Sequence, residues 1–131
     1  ISNEISKKFT SYFPGPYTLL LPKKKSNLSH LVTYGSDVIG IRIPNHSFSI
    51  NLVKKINKPI ITTSINKKGH TPINRIDDIE HNYPEISIFE DQKQKIVNSI
   101  GSTIISFNKN KEILIRQGDG NFPLWIIPIS E

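Results

Sequence analysis

Ser64 and Asn66 stand two residues apart at the end of an apolar, β-branched run, Pro59-Ile60-Ile61-Thr62-Thr63, and directly before Lys67-Lys68-Gly69. Short hydroxyl and amide groups of this kind hydrogen-bond phosphoryl or carboxylate oxygens, while guanidinium groups answer the charge with a planar fork. Two readings of the stretch are open. Strand ends that pass into polar loops are where α/β sheets carry ligands. Ser, Asn, Lys and Gly are also ordinary turn formers. The same chemistry recurs at Ser102-Thr103 and at Arg42 and Arg116, so the residue types together suit the holding of an anionic ligand and the transfer of a phosphoryl or nucleotidyl group, which asks of a protein chiefly positioning and charge neutralisation.

Other chemistries fall away. Cysteine is absent, which excludes thiolate metal sites, disulfides and a Cys nucleophile. His30, His46, His70 and His81 lack the spacings that close a metal site, and no metal is expected to be held by protein side chains. No GxSxG, GxxxxGK[ST] or GxGxxG pattern occurs. The chain has 131 residues, a net charge of +6 and a pI of about 9.6. The charge invites a nucleic-acid or phosphate partner, but Ala is missing and Ile, Lys and Asn dominate, so a coding bias toward Lys is an equal explanation. Arg occurs three times, at Arg42, Arg75 and Arg116, and is the more informative cation. With no apolar run of membrane-spanning length and no signal peptide, a cytoplasmic protein without membrane partners is expected.

The elements that must position these groups follow from periodicity. Ile1, Ile5, Phe9, Tyr12 and Phe13 predict a helix over residues 1–13, stopped by Pro14-Gly15-Pro16. Tyr17 to Leu21 predicts a buried strand and Val38 to Ile43 another, with Gly40 and Arg42 on the face opposite Ile39, Ile41 and Ile43; Arg42 is then either an edge residue or a placed cation. Asn45 is the expected N-cap of a helix through Ile56, which leads into a strand at Pro59–Ile65. A short acidic helix at Ile76–Glu80, a strand at Glu85–Phe89, a polar exposed stretch from Asp91 to Lys95, a hairpin of 102–107 with 112–116, a turn at 117–120 and an apolar tail, Trp125–Ile129, complete the pattern. All of it reads as one α/β domain over residues 1–131.

Five stretches in order, Phe13-Pro14-Gly15-Pro16-Tyr17-Thr18, Ile41-Arg42-Ile43-Pro44-Asn45-His46, Thr63-Ser64-Ile65-Asn66-Lys67-Lys68-Gly69, Ser102-Thr103-Ile104 and Ile115-Arg116-Gln117-Gly118, resemble the successive motifs of the YrdC/Sua5 family. The resemblance covers residues 9–120 and implies a twisted mixed sheet with flanking helices around a basic cavity. It also implies formation of threonylcarbamoyl-adenylate and pyrophosphate from L-threonine, bicarbonate and ATP, the ATP with Mg, toward threonylcarbamoyladenosine in tRNA. Ser64 and Asn66 match the family's SxN motif at the nucleotide and substrate. Ser102 and Thr103 match the motif lining the threonine and nucleotide end, Arg116 matches a phosphate or carboxylate partner, and Arg42 falls on a family position that counts it among the binding residues. His46 also falls on a family position. The resemblance also implies tRNA or double-stranded RNA as an expected further partner.

Three departures stand against the family pattern. Ile65 replaces the usual Ala, although alternation points it away from Ser64 and Asn66. Glu90-Asp91-Gln92 stands where a Gly-rich segment is usual. The family's upstream KxR motif has no counterpart, so the chain is expected to lack its natural beginning and, by itself, to be catalytically incomplete. Three readings remain: the synthase, a paralogue resembling the YciO group that binds nucleotide or RNA without making this product, and a fragment that folds only in part.

Overall fold

The computed structural model describes residues 3–24, 28–91, 98–108 and 111–122. Its centre is a four-stranded mixed sheet of β1 (Tyr17–Pro22), β2 (Val38–Ile41), β3 (Thr103–Asn108) and β4 (Lys111–Arg116), in the order β2-β1-β3-β4. β1 runs parallel to β3, while β2 and β4 pair antiparallel at the two edges. The parallel pair joins strands 80 and more residues apart in sequence, and the hairpin of β3 and β4 is the local one, as expected from its turn.

Strand alternation divides the sheet into two faces. Leu19, Leu21, Ile105 and Phe107 share one, and with Tyr12 and Phe122 they are the buried core. Helix α1 (Asn3–Tyr12) covers this face because Phe9, Tyr12 and Phe13 recur at helical spacing; Phe9 meets Phe107 edge-on with ring centroids 5.6 Å apart, and Tyr12 meets Tyr17 at 5.0 Å. Tyr12 Oη donates to Glu112 Oε2 at 2.7 Å, and Lys8 Nζ lies 3.2 Å from Glu112 Oε1, so the carboxylate that β4 turns toward the core is met from both sides. At the helix end, after a cis Phe13–Pro14 bond, the Gly15 N–H donates to Ile43 O at 2.9 Å. A Cβ on Gly15 would sit 2.7 Å from Tyr12 O, which is why glycine stands there.

Two further helices, α2 (Ser47–Ile56) and α3 (Ile76–Asn82), bear no fully buried residue. The cap of α2 is His46 rather than Asn45: its Nδ1 accepts from the Ser49 N–H at 3.2 Å. A neutral imidazole nitrogen caps a helix by the same geometry as a short oxygen acceptor.

Two expected strands are not strands. Pro59–Ile65 runs outside the sheet with Ile61 79 % exposed, and Glu85–Phe89 begins in a turn closed by Ile86 N–H to Tyr83 O at 3.1 Å and ends with Phe89 85 % exposed. β-branched residues favour a strand where a neighbouring edge accepts the backbone, and among the described residues neither segment meets one. β2 likewise stops at Ile41, so Arg42 and Ile43 lie just beyond the ladder. Most of Asp91–Lys95, the hairpin tip at 109–110 and the tail Trp125–Ile129 fall outside the described residues.

Candidate functional site

The second face of the sheet carries Thr18, Leu20, Gly40, Ile104 and Ser106, smaller and more polar than the core face. Against part of it lies a cleft of about 1400 Å³, roofed by the irregular segment from Pro59 to Pro72. Thr18, Arg42, Ser64, Asn66, Ser102 and Arg116 all line it. Five of the six sequence-predicted binding residues therefore meet in one place: Ser64, Asn66, Ser102, Arg116 and Arg42. The lining includes two arginines and His70, and no Asp or Glu among the described residues. Such a wall favours an anion, because no fixed negative charge opposes it.

The Ser64–Asn66 arm is built as a stapled loop. Asn66 Oδ1 accepts from Ser64 Oγ, and Asn66 Nδ2 donates to Lys67 O at 3.1 Å and to His70 O at 2.9 Å. The His70 N–H closes a turn onto Lys67 O at 2.9 Å with Gly69 at φ +84°, a left-handed position that glycine occupies without steric penalty. Ile73 N–H to Ile65 O, 2.9 Å, shuts the base of the loop. Ile65 is half-buried and absent from the cleft wall, so the bulkier residue between Ser and Asn leaves the pocket clear, as alternation implied.

On the opposite wall, Ser102 Oγ and Thr18 Oγ1 lie 2.7 Å apart, a hydroxyl pair in which either oxygen can donate. Arg116 Nη2 donates to Ser102 O at 2.7 Å, which commits one of five guanidinium N–H groups and fixes the fork beside the pair. Gly101, at φ +97°, lets the chain pass 3.1 Å from that guanidinium, measured from where a Cβ would stand.

Thr103 departs from expectation. It belongs to the core face and is fully buried, its Oγ1 donating to Gly120 O and accepting from the Gly118 N–H at 2.9 Å. The alternation that turns Ser102 and Ile104 into the cleft turns Thr103 away from it. His46 is also outside the cleft. It borders a smaller hollow of about 320 Å³ with Phe48, Phe89, Glu90 and Asp91, its Nε2 3.9 Å from Asp91 Oδ2. In the sequence Thr18 stands out as part of a motif and not as a cleft-facing group, since that requires knowing that β1 pairs with β3.

A mixed sheet with helix α1 over one face and a cleft on the other defines the class, an α/β domain. Residues 1–118 match the model of the Sua5–YciO–YrdC family, which carries the description "Telomere recombination", and the chain belongs to that family. It is 37 % identical over 93 residues to a threonylcarbamoyl-AMP synthase of Pseudoalteromonas atlantica, covering 71 % of this chain and 46 % of that one. With a putative threonylcarbamoyl-AMP synthase of Methanocaldococcus jannaschii it shares 32 % identity, over 98 % of this chain and 56 % of the other. The chain thus spans about half the length, or less, of these curated relatives. Among solved structures, Pyrococcus abyssi Sua5 complexed with L-threonine superposes with a TM-score of 0.74 at 26 % identity, over 90 % of this chain and 34 % of that one. E. coli YciO superposes with a TM-score of 0.77 at 19 % identity, over 92 % and 59 %, a likeness of fold.

Proposed function

We propose that the cleft holds ATP and L-threonine and serves the synthesis of threonylcarbamoyl-adenylate, with bicarbonate as the third substrate and pyrophosphate as the second product. The observation that carries this reading is the wall itself: two guanidinium groups and several hydroxyls, without a carboxylate among the described lining residues, in a family whose members include threonylcarbamoyl-AMP synthases. The volume, about 1400 Å³, exceeds the roughly 300–1,000 Å³ of a typical single-ligand pocket and suits a nucleotide with an amino acid beside it.

The substrates and product dictate the steps. The threonine amine takes up the carboxyl unit of bicarbonate with loss of water, and an oxygen of the resulting carbamate attacks the α-phosphorus of ATP. A P–O bond forms there as the bond to the bridging oxygen breaks, and pyrophosphate leaves with the electron pair. Ser64 and the loop that Asn66 organises serve the nucleotide, Ser102 and Thr18 serve the threonine end, and Arg116 and Arg42 neutralise charge that grows on the departing phosphates. Positioned cations are usually the largest single contribution in such transfers. Mg²⁺ would be part of the nucleotide substrate, supplying further positive charge at the phosphates beside Arg116 and Arg42. The product is an activated group for tRNA modification to threonylcarbamoyladenosine, in the cytoplasm.

Calorimetric titration with ATP, with and without L-threonine, tests this reading. The expected result is reciprocal tightening, each ligand raising the affinity for the other by the same factor. ATP binding that is indifferent to L-threonine, or no binding of either, overturns it.

A further inference from the structure

Ser99 is the meeting point of three segments that are distant in sequence. Its carbonyl oxygen accepts from Asn74 Nδ2 at 3.0 Å, and the same Nδ2 lies 3.3 Å from Pro72 O, at the end of the stapled Ser64 loop. Its hydroxyl donates to Asp119 Oδ2 at 2.5 Å and accepts from the Gly101 N–H at 3.0 Å. Asp119 holds the next two residues as well: Oδ1 accepts from the Ile100 N–H at 3.0 Å, and the Asp119 N–H donates to Gly101 O at 2.8 Å. Ser99, Ile100, Gly101 and Ser102 all line the cleft, whereas Asn74 and Asp119 do not.

We propose that Asn74 and Asp119 are positioning residues of the cleft: acting through Ser99, they fix the 99–102 wall at a set distance from the Ser64–Pro72 wall and so preorganise the site for its ligand. The inference rests on the cleft being the nucleotide and threonine site. Two features favour a positioning role over a general contribution to the fold. Asp119 is exposed and Asn74 half-buried, and neither belongs to the apolar core, so their loss removes little buried area. Yet every hydrogen bond they make to the 99–101 segment restrains backbone that carries Ser102 and, through Ser102 O, the Arg116 fork. A loop freed from such restraints must be ordered again on binding, and the loss appears in affinity.

The test is ATP affinity by calorimetry on the wild-type chain, Asn74→Ala, Asp119→Ala, the double variant and Asp119→Asn, each with its thermal unfolding midpoint. Each alanine variant is expected to bind about fivefold to tenfold more weakly, with the midpoint nearly unchanged. The double variant is expected to lose less than the product of the two factors, because both substitutions release the same loop. Asp119→Asn is expected to recover part of the affinity, since its Oδ1 can still accept from the Ile100 N–H. Wild-type binding with unchanged affinity in both alanine variants overturns this inference and leaves the cleft assignment standing. Affinity losses that follow the midpoints, without recovery in Asp119→Asn, overturn it in favour of a purely structural role. A wild-type chain that binds no ATP overturns the cleft assignment and this inference with it.

Discussion

Arg116 stands opposite Ile104 across the β3–β4 pair, on the cleft face, although Leu114, two residues earlier on the same strand, stands opposite Ile105 on the core face. Strict alternation would have sent Arg116 to the core side with Leu114 and Glu112. A bulge between Ile104 and Ile105 sets Ile115 and Arg116 against one residue of β3, and that extra residue reverses the direction of the guanidinium.

Arg116→Lys is therefore expected to be a poor substitute. A single ammonium cannot donate to Ser102 O and present a fork to the cleft at the same time, so ATP affinity should fall about tenfold while the thermal midpoint moves little, the side chain being exposed. Calorimetry beside a melting curve reads both quantities.

Asn66 separates amide chemistry from mere presence of a polar group. Asn66→Ala leaves the Lys67 and His70 carbonyls without their shared donor and should weaken ATP binding by about 1–3 kcal/mol. Asn66→Asp should be worse than Ala, because a carboxylate faces the same two carbonyls and adds negative charge beside the nucleotide. An order of affinities with Asp above Ala would count against the stapled loop.

Gly118 packs where no side chain fits. A Cβ there would overlap Gly101 O and the Ser102 carbonyl group. Gly118→Ala is expected to destabilise the chain by about 3 kcal/mol, the upper part of the usual overpacking range, and to displace the 99–102 wall; urea unfolding gives the first and ATP affinity the second.

Tyr12 makes stability depend on alkaline pH. Burial first, then the hydrogen bond to Glu112 and its charge, raise the phenol well above its ordinary value of 10.0. Above about pH 10 the unfolded chain releases this proton while the folded chain keeps it, so the stabilisation is complete below about pH 10 and is lost as pH rises toward the folded value. Urea midpoints measured from about pH 8 to about pH 11 should decline, and the decline should flatten in Tyr12→Phe, which is less stable by about 1–2 kcal/mol at neutral pH through loss of the Glu112 bond.

What could be read from the sequence was governed by how local each signal is. Helix α1, β1 and the β3–β4 hairpin declare themselves through spacing and turn residues close at hand, and the SxN motif announced Ser64 and Asn66. Pro59–Ile65 and Glu85–Phe89 had strand composition without a described partner edge, and a partner is not a local property. The Ser-Thr-Ile motif joins Thr103 to Ser102, yet the strand's alternation places neighbours on opposite faces. The bulge that aims Arg116 and the Asn74–Ser99–Asp119 contacts depend on register and on loop closure across more than a dozen residues, which no window of sequence carries.

Amide NMR of the isotopically labelled chain during titration with ATP locates the bound nucleotide residue by residue. The largest shifts are expected at Ser64 to Gly69 and at Gly101 and Ser102, with the Arg116 side-chain resonance moving alongside them. Shifts confined to His46, Ser49 and Asp91 around the smaller hollow, or an absence of saturable shifts at the cleft, would contradict the cleft assignment.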